Sequence, residues 1–337
     1  MRHTLVARLD GEGDVLLAGP AIRAVAASGH RVTLLCGPRG RQAAELLPGV
    51  DAIVMRAAEW IDPEPPPVDR TRTLALVDEL AALALDEAIV LTSFHQSALP
   101  LALLLRMAGV ESIAAISDDY PGSLLDVRHR IGDDLHEVER ALSLVATLGH
   151  WLPPGDDGRL AVRAEPPRAR LPERYVVVHP GASVPARAWA PERNAALVAA
   201  MAASGRNVVV TGARGERALT ARVAGVDALD LGGRTTLGAL AGVLASADAV
   251  VVGNTGPAHL AAAVGAPVVS LFAPTVPAVR WRPWRVRHEL LHVEVPCAGC
   301  RARTCPLPGH PCLDSLDVGE VLAALDRVAS ATEAVAA

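Results

Sequence analysis

Between Ala249 and Phe272 the chain permits few structures. The apolar run Ala249-Val250-Val251-Val252 leads straight into Gly253-Asn254-Thr255-Gly256-Pro257, then a small-residue segment from His259 to Val264, then a second apolar run from Val268 to Phe272. β-Branched runs bounded by Gly and Pro read as buried strands, and the segment between them as a helix. Proline has no N–H to leave unpaired and a φ already suited to a helix, so Pro257 sets the helix start at Gly256/Pro257. The first-turn N–H groups lack intrahelical partners and carry the positive end of the dipole, which suits a phosphate, with the Thr255 hydroxyl beside them. His259, in that first turn, is either a further donor or a structural residue. Asn254, an uncharged amide, spares a phosphate any repulsion but cannot act as a base, so its role is positioning.

Strand and helix alternate through the rest of the chain. Strands are expected at 4–9, 31–36, 50–55, 88–93 and 112–116, then at 175–179, 207–211 and 228–231, with helices between them. That rhythm is the α/β pattern of a parallel sheet covered on both faces, here occurring twice as doubly wound domains. Residues 117–136 break the rhythm with charges and a Pro-Gly turn, and 152–174 hold five prolines without clean periodicity. The expected division is a first domain at 1–160, a linker at 161–173, a second domain at 174–317 and a closing helix region at 318–337 that could return to the first domain.

A chain of 337 residues suits two domains. Much of its 51% hydrophobic content is alanine, and no apolar run approaches the ~20 residues that span a bilayer. The N-terminus turns acidic too early for a signal peptide, so cytoplasmic residence is expected, with peripheral attachment at the inner face of the membrane left open. A net charge of −5 argues against a nucleic-acid partner. The sequence contains no lysine, so any fixed side-chain cation that clamps a phosphate must be arginine, which binds bidentately.

Open α/β sheets bind ligands beyond the carboxyl ends of their strands. After the strand at 175–179 come Pro180-Gly181-Ala182-Ser183, small residues that allow close backbone approach to a phosphate with the Ser183 hydroxyl as an extra donor, or else form a simple turn. Gly212 closes the next strand, and Glu216 follows as an acid that could accept two vicinal hydroxyls or merely favour a helix start. In the first domain, Gly11-x-Gly13-Asp14 lacks the third glycine of a dinucleotide fingerprint and sets an acid where pyrophosphate would lie, so no anion site is expected there. A nicotinamide dehydrogenase is weakened accordingly.

The run from Gly253 to Trp284 resembles the nucleotide-sugar signature of glycosyltransferase family 9, the bacterial ADP-heptose:lipopolysaccharide heptosyltransferases. The resemblance recurs in family order at Arg8-Leu9-Asp10-Gly11-Glu12-Gly13-Asp14, His179 to Ser183, Thr211-Gly212, Leu231 to Leu237 and the cysteine-rich tail. It implies the GT-B arrangement, two Rossmann-like domains facing each other across a cleft. It further implies an inverting transfer of a sugar, most plausibly heptose from ADP-heptose, to a hydroxyl of a saccharide or glycolipid acceptor. Asp14 resembles the acid of the family's Gly-Asp-Val motif; a sugar hydroxyl is a poor nucleophile, and a carboxylate accepting its proton lowers the barrier. Asp10 is the rival on the same loop. Arg187, where the family more often has Lys, is implied as the cation meeting the diphosphate, though an inserted Ala190 shifts the register between Trp189 and Pro191. Asn254 departs from the family's usual Asp. Glu216 stands where relatives have an acid near the ribose, and Gly232-Gly233-Arg234-Thr235 resembles the loop bordering the base. Alternatives are another nucleotide-sugar donor, a small-molecule acceptor, or a nucleotide-sugar-binding protein without turnover.

No Asp-x-Asp pair is available to chelate Mg²⁺ on a diphosphate, so no cofactor is expected for catalysis. Cys297-x₂-Cys300-x₄-Cys305-x₆-Cys312 has spacing that allows a structural zinc site, with His310 as a substitute ligand, or else the thiols are reduced or partly disulfide-bonded.

Overall fold

The computed structural model describes residues 1–132 and 134–333. They divide into two units, Met1–Ala161 and Val162–Ala337. In the first, strands β1 (His3–Arg8), β2 (Arg31–Cys36), β3 (Ala52–Met55), β4 (Glu87–Val90), β5 (Ser112–Ile116) and β6 (Val127–His129) form one sheet in the order β3-β2-β1-β4-β5-β6. The helices between them are α1 (Glu12–Leu17), α2 (Gly19–Ala27), α3 (Arg41–Leu46), α4 (Arg70–Ala82), α5 (Leu99–Met107) and α6 (Glu137–Ala146).

The second unit repeats this plan. Its strands β7 (Val176–His179), β8 (Val208–Val210), β9 (Leu229–Asp230), β10 (Ala249–Gly253), β11 (Val268–Leu271) and β12 (His288–Leu291) are ordered β12-β11-β10-β7-β8-β9. Its helices are α7 (Pro191–Ala203), α8 (Arg217–Ala224), α9 (Leu237–Ala245), α10 (Gly256–Ala263), α11 (Ala278–Trp281) and α12 (Val318–Glu333). Every strand pair in both sheets is parallel. Both orders are the doubly wound one, and in each the order reverses beside the first strand, between β1 and β4 and between β7 and β10. Loops at the carboxyl ends of those four strands are therefore where sheets of this kind hold ligands.

The inner strands are apolar throughout because both faces are covered. Val250, Val251 and Val252 are buried, as are Leu5, Val6 and Ile89, each such side chain adding about 1.5–3 kcal/mol through burial. The edge strands β6 and β12, absent from the sequence reading, are only half-buried. The helical segment after β1 starts at Glu12 and is divided at Ala18.

The segment read as a linker, 161–173, is divided between the units. From Val162 it belongs to the second, where Glu165 N–H donates to the Gly238 carbonyl at 3.0 Å on α9. The closing helix also belongs there: Val321, Ala324, Leu325 and Val328 of α12 lie in the second unit's core with Val251, Val269 and Leu271. Residues 334–337 of that region lie outside the described residues. Among the described residues no helix is long and apolar enough to cross a membrane.

Candidate functional site

In the second domain five strand-end loops converge. His179 ends β7 and is buried, with its Nδ1 3.0 Å from the Thr211 hydroxyl and its Nε2 4.0 Å from a Glu216 carboxylate oxygen. Burial pushes the His179 imidazole below its usual pKa, and the Glu216 charge pulls the other way. Glu216 ends a single 3₁₀ turn (Arg214–Glu216) and accepts the Ala213 N–H at 2.7 Å. Its carboxylate lies directly on Gly181: a Cβ at that position would stand 2.0 Å from Glu216 Oε1. Gly212 is similarly constrained, its would-be Cβ 3.2 Å from Glu216 Oε2 and 2.5 Å from Thr220. Gly181 is thus glycine because a carboxylate occupies its side-chain space, a reason beyond the close phosphate approach expected from sequence. The next loop joins in, Gly233 N–H donating to the Gly212 carbonyl at 2.8 Å. Gly233 adopts φ +63°, a left-handed conformation that glycine tolerates.

On the other side of β7, β10 runs into α10. Thr255 is the N-cap but its side chain caps nothing, so the helix start is not closed by its own side chain. Gly256 and Pro257 are half-buried there, and His259 is buried in the first turn. Asn254 is buried and fully used: its amide donates to the Ala273 carbonyl and accepts the Ala273 N–H, both at 3.2 Å. That pair ties the end of β10 to the segment after β11, so Asn254 positions the loop, and it needs a donor and an acceptor on one side chain, which an ionised Asp lacks.

Arg187 ends a second 3₁₀ turn, Pro185–Arg187, and its Nε donates to the Thr275 hydroxyl at 3.3 Å. Its carbonyl packs on Gly253, where a Cβ would meet it at 2.5 Å. The structure therefore brings Arg187 to the Gly253–Pro257 loop despite the inserted Ala190, while Ala182 is half-buried and Ser183 exposed at the mouth of the β7 loop.

The cysteine-rich segment buttresses these loops. Arg303 accepts the Ala186 N–H at 2.9 Å, Gly299 N–H donates to Pro274 at 2.7 Å and Arg301 N–H to Thr275 at 3.0 Å. His310 Nε2 lies 3.1 Å from the Ala186 carbonyl, so the ring expected as a substitute metal ligand holds the Arg187 turn. Cys297, Cys300, Cys305 and Cys312 are free thiols. Among the described residues no three of them bring their sulfurs within 4.8 Å of one another. Cys312 is buried in the core, and burial pushes its thiol up to about 11.

The first domain presents different chemistry at its own switch point. Arg8, the last residue of β1, is buried and ion-paired through Nε to Asp10 at 2.8 Å, through one terminal nitrogen to Asp14 at 2.9 Å and through the other to Glu137 at 3.5 Å. It also donates to the Ser93 hydroxyl at 2.9 Å. Arg140 adds a second guanidinium, 3.4 Å from Glu137. Burial opposes the Arg8 cation, but its three carboxylates outweigh that and strengthen its hold on its protons. Burial pushes the Asp10 carboxyl above the usual range against the pull of Arg8, and Gln96 donates to it.

Asp14, in the first turn of α1, is the more open acid: its side chain is 26% exposed against 9% for Asp10. Gly11 and Gly13 flank it, and no atom stands within 4 Å of where a Cβ on Gly11 would lie. Beside this frame lies a cavity of about 230 Å³ lined by Ser93, Gln96, Ser117, Asp118, Asp119 and Arg140. Sequence reasoning named Asp14 and Asp10 but missed Ser93, Gln96, Glu137 and Arg140 as their company; the signal was Arg8 itself, a charge inside the apolar run of a central strand.

A profile of glycosyltransferase family 9 (heptosyltransferase) matches residues 73–310. The chain belongs to glycosyltransferase family 9. It is 31% identical over 150 residues to the lipopolysaccharide heptosyltransferase 3 of Escherichia coli, a match covering 42% of this chain and 43% of that protein. The chain thus matches less than half the length of that curated relative. Among solved structures, a family 9 glycosyltransferase from Veillonella parvula DSM 2008 superposes with a TM-score of 0.78 at 16% identity, covering 97% of each chain. The E. coli heptosyltransferase WaaC with ADP-2-deoxy-2-fluoro heptose gives 0.74 at 21% identity, covering 96% of this chain and 99% of that one. Both matches run through the two doubly wound units, and the fold of this family member is GT-B.

Proposed function

We propose that this family 9 member is an inverting glycosyltransferase that moves heptose from ADP-heptose to a hydroxyl of a lipopolysaccharide saccharide. The observation that carries the reading is the cluster of His179, Gly181, Gly212, Glu216, Arg187 and the open start of α10 around one switch point. Its chemistry suits a nucleoside diphosphate. Glu216 accepts the ribose hydroxyls, the backbone of Gly181-Ala182-Ser183 and Thr255-Gly256 approaches the phosphates, and Arg187 with His259 meets the charge that grows on the leaving oxygens. Donors fixed in advance where charge develops contribute most to such a step. WaaC was solved with an ADP-heptose analogue, which favours ADP over other nucleotides here.

Asp14 takes the proton of the acceptor hydroxyl as that oxygen attacks the anomeric carbon and the diphosphate leaves from the opposite face. Arg8 positions Asp14, holding one carboxylate oxygen and leaving the side chain at the surface of the loop. The acceptor lies over the first domain's switch point, in the polar cavity beside Ser93 and Arg140. A glycolipid acceptor would bring the protein to the inner face of the membrane as a peripheral enzyme. No metal is needed for the step in this reading.

The test is a nucleotide panel read by thermal shift. ADP should stabilise the protein more than UDP or GDP; a preference for either of the latter reassigns the donor. Asp14→Asn should keep ADP binding and lose heptose transfer, and unchanged turnover removes Asp14 as the base.

A further inference from the structure

At the opposite end of the first sheet, near the amino ends of its strands, the structure gathers a second group of side chains that the transfer reaction does not use. Two helices end there in the same way. α2 stops at Ser28, and Gly29 with φ +79° turns the chain so that His30 precedes β2; α6 ends near Thr147, and Gly149 with φ +82° turns it so that His150 follows. Only glycine takes that left-handed conformation without strain. The two helices pack on one another, so both histidines arrive at the same place. Glu87, the first residue of β4, meets them.

The geometry is close. His150 Nε2 lies 2.9 Å from Glu87 Oε1, and the His30 and His150 rings stand edge to face with centroids 4.9 Å apart. One donor atom from each of His30, Glu87 and His150 lies within 4.8 Å of the other two. His150 and Glu87 are buried, and His30 is half-exposed at the rim. Each imidazole also has a hydroxyl on one nitrogen: Ser28 Oγ at 2.9 Å from His150 Nδ1, and Thr4 Oγ1 at 2.8 Å from His30 Nδ1. Thr4 donates to Glu87 as well, at 3.2 Å.

We propose that His30, Glu87 and His150 form a binding site for a divalent transition-metal ion, Zn²⁺ by preference. Two imidazoles and one carboxylate are a borderline-soft donor set that suits Zn²⁺ and disfavours Mg²⁺ or Ca²⁺, which take oxygen. A Zn²⁺ ion with ligands at about 2.0–2.1 Å sets tetrahedral donor atoms about 3.3 Å apart. The His150–Glu87 separation is already near that value, and the half-exposed His30 side leaves room for water as a fourth ligand. Ser28 and Thr4 supply the outer hydrogen bonds that fix ring orientation in metal sites. The ion joins the ends of α2 and α6 to the starts of β2 and β4, so its effect is to brace the base of the first domain.

The experiment uses the full chain with any affinity tag removed, dialysed against chelator and titrated with Co²⁺ followed by visible absorption and with Zn²⁺ followed by calorimetry. One equivalent of Co²⁺ per chain is expected, with the d–d bands of a low-coordinate nitrogen and oxygen site and no thiolate charge-transfer band, together with a rise in Tm. His30→Ala removes a rim ligand, and Glu87→Gln keeps the shape of the side chain. Both should fold and weaken binding by more than about 100-fold, the upper range for losing an outer-shell partner. Absence of binding overturns the proposal. So does a thiolate band, or binding that survives both substitutions, either of which would place the ion at the cysteine segment.

Discussion

The substitution Gly181→Ala separates a ribose-binding Glu216 from a structural one. An added Cβ would stand 2.0 Å from Glu216 Oε1 and 2.3 Å from its carboxyl carbon, distances that packed atoms do not sustain. The side chain is the movable partner, so its carboxylate swings away from Gly181 and gives up the 2.7 Å hydrogen bond from Ala213 N–H. A charged hydrogen bond contributes about 1.5–3 kcal/mol, so loss of the ribose contact should weaken ADP binding by roughly 10- to 150-fold. Isothermal titration of ADP measures this, with inorganic pyrophosphate as the control that has no ribose and should bind as before. Glu216→Ala should cost about the same as Gly181→Ala, and the double variant no more than either, because both act through one carboxylate. Additive losses, or wild-type ADP affinity in Gly181→Ala, would refute the reasoning and return Glu216 to a helix-start role.

Asn254→Asp should destabilise the second domain by about 1–3 kcal/mol in urea denaturation, because the donor to Ala273 is lost, and the deficit should shrink at low pH, where a protonated acid can donate again. Arg8→Met leaves Asp10, Asp14 and Glu137 without their shared cation and should cost about 3–5 kcal/mol, read by the same method. The Asp10 carboxyl is raised in the folded state, so the native protein holds that proton more tightly than the unfolded chain. Its contribution is therefore favourable at low pH and is lost as pH rises from the ordinary carboxylate value near ~3.9 through the higher folded value; a pH series of urea midpoints should flatten in that window in Asp10→Asn.

The inner strands that the sequence revealed are buried on both faces. Runs such as Leu5 to Ala7 and Val250 to Val252 are apolar because helices cover both sides of the sheet, and Gly or Pro marks their ends. β6 and β12 escaped because Val-Arg-His and His-Glu-Leu-Leu are short, half-buried and carry charge, whereas the edge strand β3, Ala-Ile-Val-Met, keeps an apolar run; a strand paired on one side only has no need of a continuous apolar pattern. The same division holds at the sites. In the second domain each functional loop is a short Gly-rich stretch directly after a strand, so Gly181, Gly212 and Thr255-Gly256-Pro257 stand out locally. In the first domain the frame around Asp14 is drawn from Arg8, Ser93, Gln96, Glu137 and Arg140, five residues on three separate stretches of chain. No local pattern joins them. The partners of Asn254 and His310 were hidden for a similar reason, since both bind backbone carbonyls or amides, which carry no residue identity.

One topology used twice in this chain supports two unlike sites, and the difference lies in what each strand end carries. At the β1–β4 switch point the strand terminates in Arg8 with three carboxylates around it, a cluster that in the proposed function takes up a proton and does not hold the diphosphate. At the β7–β10 switch point the strands end in His179 and Gly253, and glycines allow Glu216 and the Arg187 turn to close in; in the proposed function the one acid there meets hydroxyls, and amides and a guanidinium meet phosphate. Exchanging those charges would exchange the roles. In the proposed function the doubly wound sheet sets where each ligand would lie, and Arg8, Asp14, Arg187 and Glu216 would determine which ligand it is.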